Sequence, residues 1–438
     1  MKPERQGESE PATRQGKDPS GRGLTRRQMV LLGLAGLAGV AGTGSVVRYR
    51  AQMAEPESGW DVFRGDAPKG ELWELWKQRG WAKEAYHYSK LGRNVLCHVC
   101  PNVCQLEPDD RGRCRNRVNK DGTLYTVAYG NPCSMHIDPI EKKPLFHFFP
   151  GSRSFSLATA GCVFRCLNCQ NWEISQRKPE ETKNARGPEF RLRPPAPAFG
   201  PADMERLSLF PEDLVALAAW CNCVSISYTY SEPTAYYEYA YDSCKLARAR
   251  KIKNVFVTCG SINEAALRDV GQYLDACHVD LKGFDDDTYA KLNAGRLHFI
   301  LDSLKTLQSM GVWVEIIHLV VPTYTDKPDM IRKMCDWIAT NLGPDCPVHF
   351  SRFHPAHKLQ HLPPTPVEIL LQAQAIGRSA GLRYVYIGNV PGLRGAETTF
   401  CPNCRQVVID RDIYSITAFN LAAGKCKFCQ TKIAGVWS

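Results

Sequence analysis

Between residue 154 and about residue 390 the chain alternates short apolar runs with longer helical ones, and this constrains the fold more than any other feature. The runs 154–160, 223–229, 254–259, 276–281, 312–321, 346–352 and 383–387 have the length of strands. Between them, 211–221, 235–250, 262–274, 297–310, 328–341 and 366–380 have the length and pattern of helices. Strands that alternate with helices pair in parallel through right-handed crossovers. Six or seven such units predict an α/β fold, a partial or full (β/α) TIM-like barrel. Such barrels gather their functional groups at the C-terminal ends of the strands.

The residues after each expected strand are chemically distinctive. Cys162, Cys166 and Cys169 follow the first, and Tyr230-Ser231-Glu232-Pro233 follows the second. Thr258 to Ser261 and Asn263 follow the third, Asp280 and Lys282 the fourth, and His318 with Pro322 to Asp326 the fifth. His354 follows the sixth, and Gly388 and Asn389 the last. The three cysteines are spaced C-x3-C-x2-C, and the next cysteine is Cys221. An iron–sulfur cubane usually takes four thiolates, so three leave one iron open. An open position is what a catalytic metal site keeps and a structural one closes. An open iron can chelate the amino and carboxylate groups of S-adenosylmethionine. A zinc knuckle and a ferredoxin-type run are the competing readings, and the strand leading into the loop favours the open cluster.

This arrangement resembles the radical SAM superfamily. There, one electron from a [4Fe–4S] cluster cleaves S-adenosylmethionine to methionine and a 5′-deoxyadenosyl radical, which takes a hydrogen from the substrate. Asn168 stands where the family usually has an aromatic residue near the adenine.

Nineteen cysteines, many in C-x-x-C spacings, point to metal rather than disulfides. Cys97, Cys100, Cys104 and Cys114 form a closed four-thiolate set for zinc or an auxiliary iron–sulfur cluster, with His98 a bystander. Cys401, Cys404, Cys426 and Cys429 form two knuckles of a zinc-ribbon or rubredoxin-like kind, with zinc favoured. Cys133, Cys221, Cys223, Cys244, Cys277, Cys335 and Cys346 lack such spacing and read as packed thiols, as does Cys259.

The length of 438 residues admits two or three domains. Residues 1–54 read as a polar N-terminus and a leader, 55–150 as a helical and Cys-rich arm, 151–395 as the barrel, and 396–438 as the C-terminal module. Arg26-Arg27 before the Gly-rich apolar run Met29 to Val47 resembles a Tat export signal, and a membrane anchor is the competing reading. Export or attachment to the outer membrane face is expected. Cytoplasmic work is the alternative, because S-adenosylmethionine and low-potential donors are made there. The first 50 residues hold nine Lys/Arg against four Asp/Glu, half of the net charge of +10. What remains is a weak argument for nucleic acid. Glu71 to Tyr86 reads as an amphipathic helix packed on the barrel. Ile137 to Gly151 reads as an arm across the barrel mouth, in which Asp138, Glu141 and His147 line a site or a surface face. Gln176 to Pro211 is a long loop and a candidate for substrate contact.

Several stretches together resemble one family, the radical SAM enzymes of the AmmeMemoRadiSam system, relatives of the pyruvate formate-lyase activating enzymes. They are Leu96 to Pro101, Asp138 to Phe148, Cys162 to Trp172, Tyr228 to Thr234, Asp280-Leu-Lys282, Phe350 to Pro355, Tyr384 to Asn389 and the paired tail knuckles. The resemblance implies cluster ligation by Cys162, Cys166 and Cys169. It implies cofactor contacts from Tyr230, Ser231 and Glu232, where Tyr-Ser-Glu replaces the usual Gly-Gly-Glu. It further implies that Asp280 and Lys282 hold the methionyl end, His354 lies near the ribose, and Gly388 and Asn389 approach the adenine. A one-electron donor, an unknown substrate that includes proteins among its candidates, and Memo-like and AMMECR-type partners are implied as well. Two competing classes are a non-catalytic iron–sulfur electron carrier, which needs no cofactor clamp, and a zinc-ribbon nucleic-acid binder. The latter lacks a basic stripe interleaved with aromatics, so no nucleic-acid partner is expected.

Overall fold

The computed structural model describes residues 62–196 and 200–437. The twin arginine and the apolar run lie outside them. Among the described residues no helix is long and apolar enough to cross a membrane.

Eight strands form the central sheet: β1 (Ser134–Pro139), β2 (Arg153–Ala158), β3 (Ser225–Tyr228), β4 (Lys253–Thr258), β5 (Ala276–Asp280), β6 (Trp313–Val320), β7 (Val348–Arg352) and β8 (Val385–Gly388). They lie side by side in chain order. β1 runs antiparallel to β2, and the other pairs are parallel. β1 and β8 are the two edges, so the barrel is partial. Helix α1 (Gly70–Gln78) precedes the sheet. The crossovers carry α2 (Pro211–Trp220), α3 (Tyr237–Ala249), α4 (Glu264–Gly271), α5 (Leu297–Ser309), α6 (Pro328–Asn341) and α7 (Val367–Ser379). Proline opens α2 and α6, where its missing N–H costs no helical bond.

Side chains alternate between the two faces of a strand, so each face has its own chemistry. Phe155, Leu157, Ile226, Tyr228, Phe256, Val279, Ile316 and Phe350 belong to the main core shared with the helices. The opposite face carries Ser154, Ser156, Ser225, Ser227, His278, Asp280, Glu315, His349 and Tyr386. The registers that pair Ser225 with Ser154, His278 with Glu315 and His349 with Tyr386 set these rows.

The segment 137–151 fills this second face rather than crossing the mouth. Ile140, Leu145 and Phe148 pack on Val255 and Ala276 with Trp313, toward the N-terminal ends of the strands. Glu315 anchors it by accepting the backbone N–H groups of Phe146 (3.0 Å) and His147 (2.8 Å). Asp138, Glu141 and His147 are all buried, so none is a surface residue. The expected helix 71–86 also differs: α1 stops at Gln78, and Trp73, Trp76 and Trp81 pack with Val118, Val127 and Ala185. Its apolar face is therefore covered by the Cys-rich arm and the long loop. The tail forms a three-stranded sheet, 399–400, 407–412 and 415–419, followed by a small hairpin, 421–422 with 425–426. It is laced to the arm: Arg411 donates to the Phe146 carbonyl (2.7 Å), and the Val436 N–H donates to the His147 carbonyl (2.7 Å).

Candidate active site at the strand ends

The three-cysteine loop leaves β2 through Gly161, whose φ of +90° favours glycine. A Cβ there would lie 2.4 Å from the Cys114 carbonyl oxygen, so glycine also permits close approach of the N-terminal cysteine set. Cys162 Sγ accepts from the Phe164 N–H (3.4 Å), and Cys166 Sγ accepts from Asn293 Nδ2 (3.2 Å). Cys169 Sγ lies 3.1 Å from Ser175 Oγ. Burial pushes the Cys166 thiol up to about 11, against the lowering effect of the Lys282 ammonium. Metal ligation would hold such thiols as thiolates.

The donor set fits an iron–sulfur cluster. Zn–S bonds of about 2.3 Å place tetrahedral thiolates about 3.8 Å apart. The three loop sulfurs do not all fall within 4.8 Å of one another. Each thiolate of a cubane hangs from its own iron, so its ligands need not converge on one point as those of a single zinc do. Asn168, at the position before Cys169, is buried, and its Oδ1 has no hydrogen-bond partner in the protein.

Asp280 and Lys282 stand at the end of β5. Lys282 Nζ donates to Asp280 Oδ2 (2.8 Å), and His278 Nε2 lies 3.0 Å from Oδ1. Burial works against the Asp280 charge, but the Lys282 ammonium and the His278 ring outweigh it and hold the carboxyl well below its usual range. Burial opposes the Lys282 charge too, and Asp280 followed by Cys166 raises it well above the ordinary lysine value. The pair therefore carries both charges beside Cys166. Each side chain remains partly open, 33% for Asp280 and 21% for Lys282.

The other expected residues divide. Glu232 is buried and braced: Oε1 accepts from the Thr234 N–H (3.1 Å) and from Thr258 Oγ1 (2.7 Å), and Oε2 accepts from the Cys259 N–H (2.8 Å). It ties the end of β4 to the loop after β3. Tyr230, at φ +62°, turns its hydroxyl to the Asp138 carboxylate, and Ser231 Oγ donates to the Thr159 carbonyl (2.8 Å). Gly388 ends β8, and a Cβ there would meet Ser351 Oγ at 3.3 Å. Asn389 is exposed and donates to the Arg352 carbonyl (3.3 Å). His354 is exposed beyond β7. His318 is structural: its ring lies 2.7 Å from the Leu281 carbonyl and 3.2 Å from the Thr325 carbonyl.

Three contributors were not singled out from sequence. Asn293 reaches Cys166 from 127 residues away. Lys143 is buried, donates to Asp138 (2.6 Å) and lies over the Tyr230 ring at 4.4 Å. Burial pulls its ammonium down to about 8, and Asp138 counters that. His357 stacks on Trp172, with ring centroids 5.3 Å apart and planes within 19°. Of these only Lys143 had a signal, since it lies inside the quoted stretch Asp138 to Phe148. A cavity of about 460 Å³ opens beside β1, lined by Cys133, His136, Ile174, Thr182 and Met204 among others, so the long loop forms one of its walls.

The two four-cysteine sets are built differently. Cys401, Cys404, Cys426 and Cys429 bring their sulfurs within 4.8 Å, with Cys401–Cys429 at 3.5 Å and Cys404–Cys426 at 3.7 Å. No three of Cys97, Cys100, Cys104 and Cys114 come that close.

A parallel sheet with an open three-thiolate loop at its C-terminal edge defines the class of enzymes that bind S-adenosylmethionine on a cluster. The family description "Radical SAM superfamily" matches residues 156–338. An uncharacterized protein of Methanocaldococcus jannaschii is 43% identical over 354 residues, 80% of this chain and 98% of that protein. The pyruvate formate-lyase-activating enzyme of Clostridium pasteurianum is 31% identical over 101 residues, 23% of this chain and 42% of that enzyme. Among solved structures, a domain of pyruvate-formate lyase-activating enzyme from Bacteroides vulgatus aligns with a TM-score of 0.34 at 16% identity, over 38% of this chain and 99% of that one. SuiB of Streptococcus suis, bound to S-adenosylmethionine, aligns with a TM-score of 0.40 at 13% identity, over 57% of this chain and 53% of that one. The chain belongs to the radical SAM superfamily and is a radical SAM enzyme.

Proposed function

We propose that this enzyme abstracts a hydrogen from its substrate in the manner of an activating enzyme, with Cys162, Cys166 and Cys169 holding a [4Fe–4S] cluster. When bound, the cluster and S-adenosylmethionine supply one-electron cleavage of a carbon–sulfur bond and a 5′-deoxyadenosyl radical. The observation that carries this reading is the Asp280–Lys282 pair beside Cys166. Lys282 offers an ammonium to a carboxylate, and Asp280 offers a carboxylate to an ammonium. Together they match both ends of a zwitterionic methionine by charge-assisted bonds. Glu232 braces the pocket wall through both carboxylate oxygens. With the cofactor bound, Tyr230 and Ser231 would shape the turn beside it, His354 would contact the ribose, and Gly388 and Asn389 would contact the adenine. Their positions after β3, β7 and β8 support these roles. Lys143, Asp138 and Tyr230 form a buried polar floor under the strand ends and help exclude water from a reactive carbon radical.

The substrate is a protein or small-molecule C–H bond, approached past the long loop. A one-electron donor supplies the cluster, and Memo-like and AMMECR-type partners are supported by the sequence resemblance. The tail quartet holds zinc, supported by sulfur spacings of 3.5 and 3.7 Å. Arg26-Arg27 and the run after them support export by the Tat route or anchoring on the outer membrane face. The activity is tested by anaerobic reconstitution with iron and sulfide, then dithionite and S-adenosylmethionine. Formation of 5′-deoxyadenosine and methionine supports the reading; an intact cofactor over a reduced cluster refutes it.

A further inference from the structure

We infer that Cys97, Cys100, Cys104 and Cys114 hold a second iron–sulfur cluster rather than zinc, and that it passes electrons to the cluster on the three-cysteine loop. Sulfur spacing is the first argument. The same chain shows what a mononuclear site looks like, in the tail, where four thiolates close to within 4.8 Å. The N-terminal quartet stays wider than that, as the three-cysteine loop does. Four thiolates ligate [2Fe–2S] and [4Fe–4S] clusters alike. In either kind the sulfurs hang from more than one iron, and no three need come together.

Burial is the second argument. All four cysteines are at most 9% exposed and lie in the main core with Val163, Phe164 and Cys166. Arg117 brings positive charge to this buried quartet, with Nη1 3.9 Å from Cys114 Sγ.

Contact with the catalytic loop is the third. Asn102 Nδ2 donates to the Val163 carbonyl (3.0 Å), and Arg165 donates to the Arg113 carbonyl (3.2 Å). The Cys114 carbonyl packs on Gly161, one residue before Cys162. Backbone and side-chain atoms of the two metal loops thus touch at three points. Zinc there would be a redox-inert staple, and an iron–sulfur centre would be a wire. The electron balance is simple. A donor of the flavin or iron–sulfur class loses one electron to the second cluster, which then loses one electron to the cluster on Cys162, Cys166 and Cys169. No bond is made or broken in the transfer. The relay rests on the function proposed above; the identity of the second centre does not.

The test starts from the full chain reconstituted anaerobically, beside a Cys162→Ala, Cys166→Ala, Cys169→Ala variant. The variant is expected to retain iron and acid-labile sulfide in equal amounts, with a reducible paramagnetic signal. Zinc without sulfide in that variant overturns the inference. Should the variant fail to fold, the parent chain decides: two distinct reducible clusters and one zinc support the inference, whereas one cluster and two zincs overturn it. The relay is read from the ratio of 5′-deoxyadenosine formed with a flavodoxin-class donor to that formed with dithionite. Cys97→Ser with Cys100→Ser is expected to lower this ratio at least tenfold, and an unchanged ratio overturns the relay. Absence of 5′-deoxyadenosine from the parent under any reductant would sink the proposed function and leave the metal content untouched.

Discussion

The tail quartet and the N-terminal quartet carry the same four ligands and comparable short spacings, yet they are different objects in space. The tail has a small core of its own, with Val408, Ile409, Leu421 and Ile433, and its sulfurs converge on a point. The N-terminal quartet is sunk in the main core, and no three of its sulfurs come within 4.8 Å of one another. Ligand identity selects a family of metals, whereas the spacing fixed by the surrounding fold selects an ion or a cluster. The three-cysteine loop sides with the N-terminal set, since its sulfurs do not all fall within 4.8 Å of one another either.

The largest expected effect separates these centres by function. Cys162→Ala, Cys166→Ala or Cys169→Ala should each abolish 5′-deoxyadenosine formation, because two thiolates cannot keep the open cluster in place. Elemental analysis should still find the tail zinc.

The clamp comes next. Asp280→Ala and Lys282→Ala each remove a charged hydrogen bond worth about 1.5–3 kcal/mol, so S-adenosylmethionine affinity should fall about ten- to a hundredfold. Iron content should stay constant. Calorimetric titration of the reconstituted chain checks this, and unchanged affinity in both variants would remove the pair from the site.

A smaller effect tests how the tail is wired to the barrel. Cys401→Ser with Cys404→Ser should release the zinc and loosen residues 146–149, which bond to Arg411, Ala434 and Val436. Faster amide hydrogen exchange in that segment, with the cluster retained, is the expected reading. Unchanged protection would make the module independent of the arm.

The smallest effect concerns acid stability. Burial raises the Glu315 carboxyl, but His349 and the His147 N–H outweigh it and lower it to about 2. A carboxyl lowered on folding adds stability above its unfolded value of about 4.3, and that stability is lost as pH falls through the folded value. Glu315→Gln should therefore cost ~1–3 kcal/mol near neutral pH. The gap from the parent should narrow as pH drops from about 4.3 toward 2. Urea unfolding of metal-free protein across this range measures it. A gap independent of pH would show that the charge of Glu315 is not what pins the arm.

Much of the sheet was legible because strand-length runs alternate with helix-length ones from residue 154 to about 390. β1 was not, since Ser134–Pro139 mixes polar residues and ends in proline, which an edge strand tolerates. The same blind spot put segment 137–151 across the mouth, because its anchor, Glu315, lies 168 residues from His147. Asp280 and Lys282 were readable because residues two apart on a strand share a face. The bracing of Glu232 by Thr258 and Cys259 was not, because it joins two strand ends through tertiary contact. Metal identity in the N-terminal quartet was undecidable from spacing for the same reason: the distances between its sulfurs belong to the fold.

The central claim is that the three-cysteine loop leaves one iron for the cofactor's amino and carboxylate groups. The most direct measurement is electron–nuclear double resonance on the reduced, reconstituted chain with S-adenosylmethionine labelled with nitrogen-15 at the amino group. A hyperfine coupling from that nitrogen, absent in the Cys162→Ala, Cys166→Ala, Cys169→Ala variant, is the predicted result. A reduced cluster on the parent loop that binds the cofactor without any coupling to its nitrogen would contradict the account.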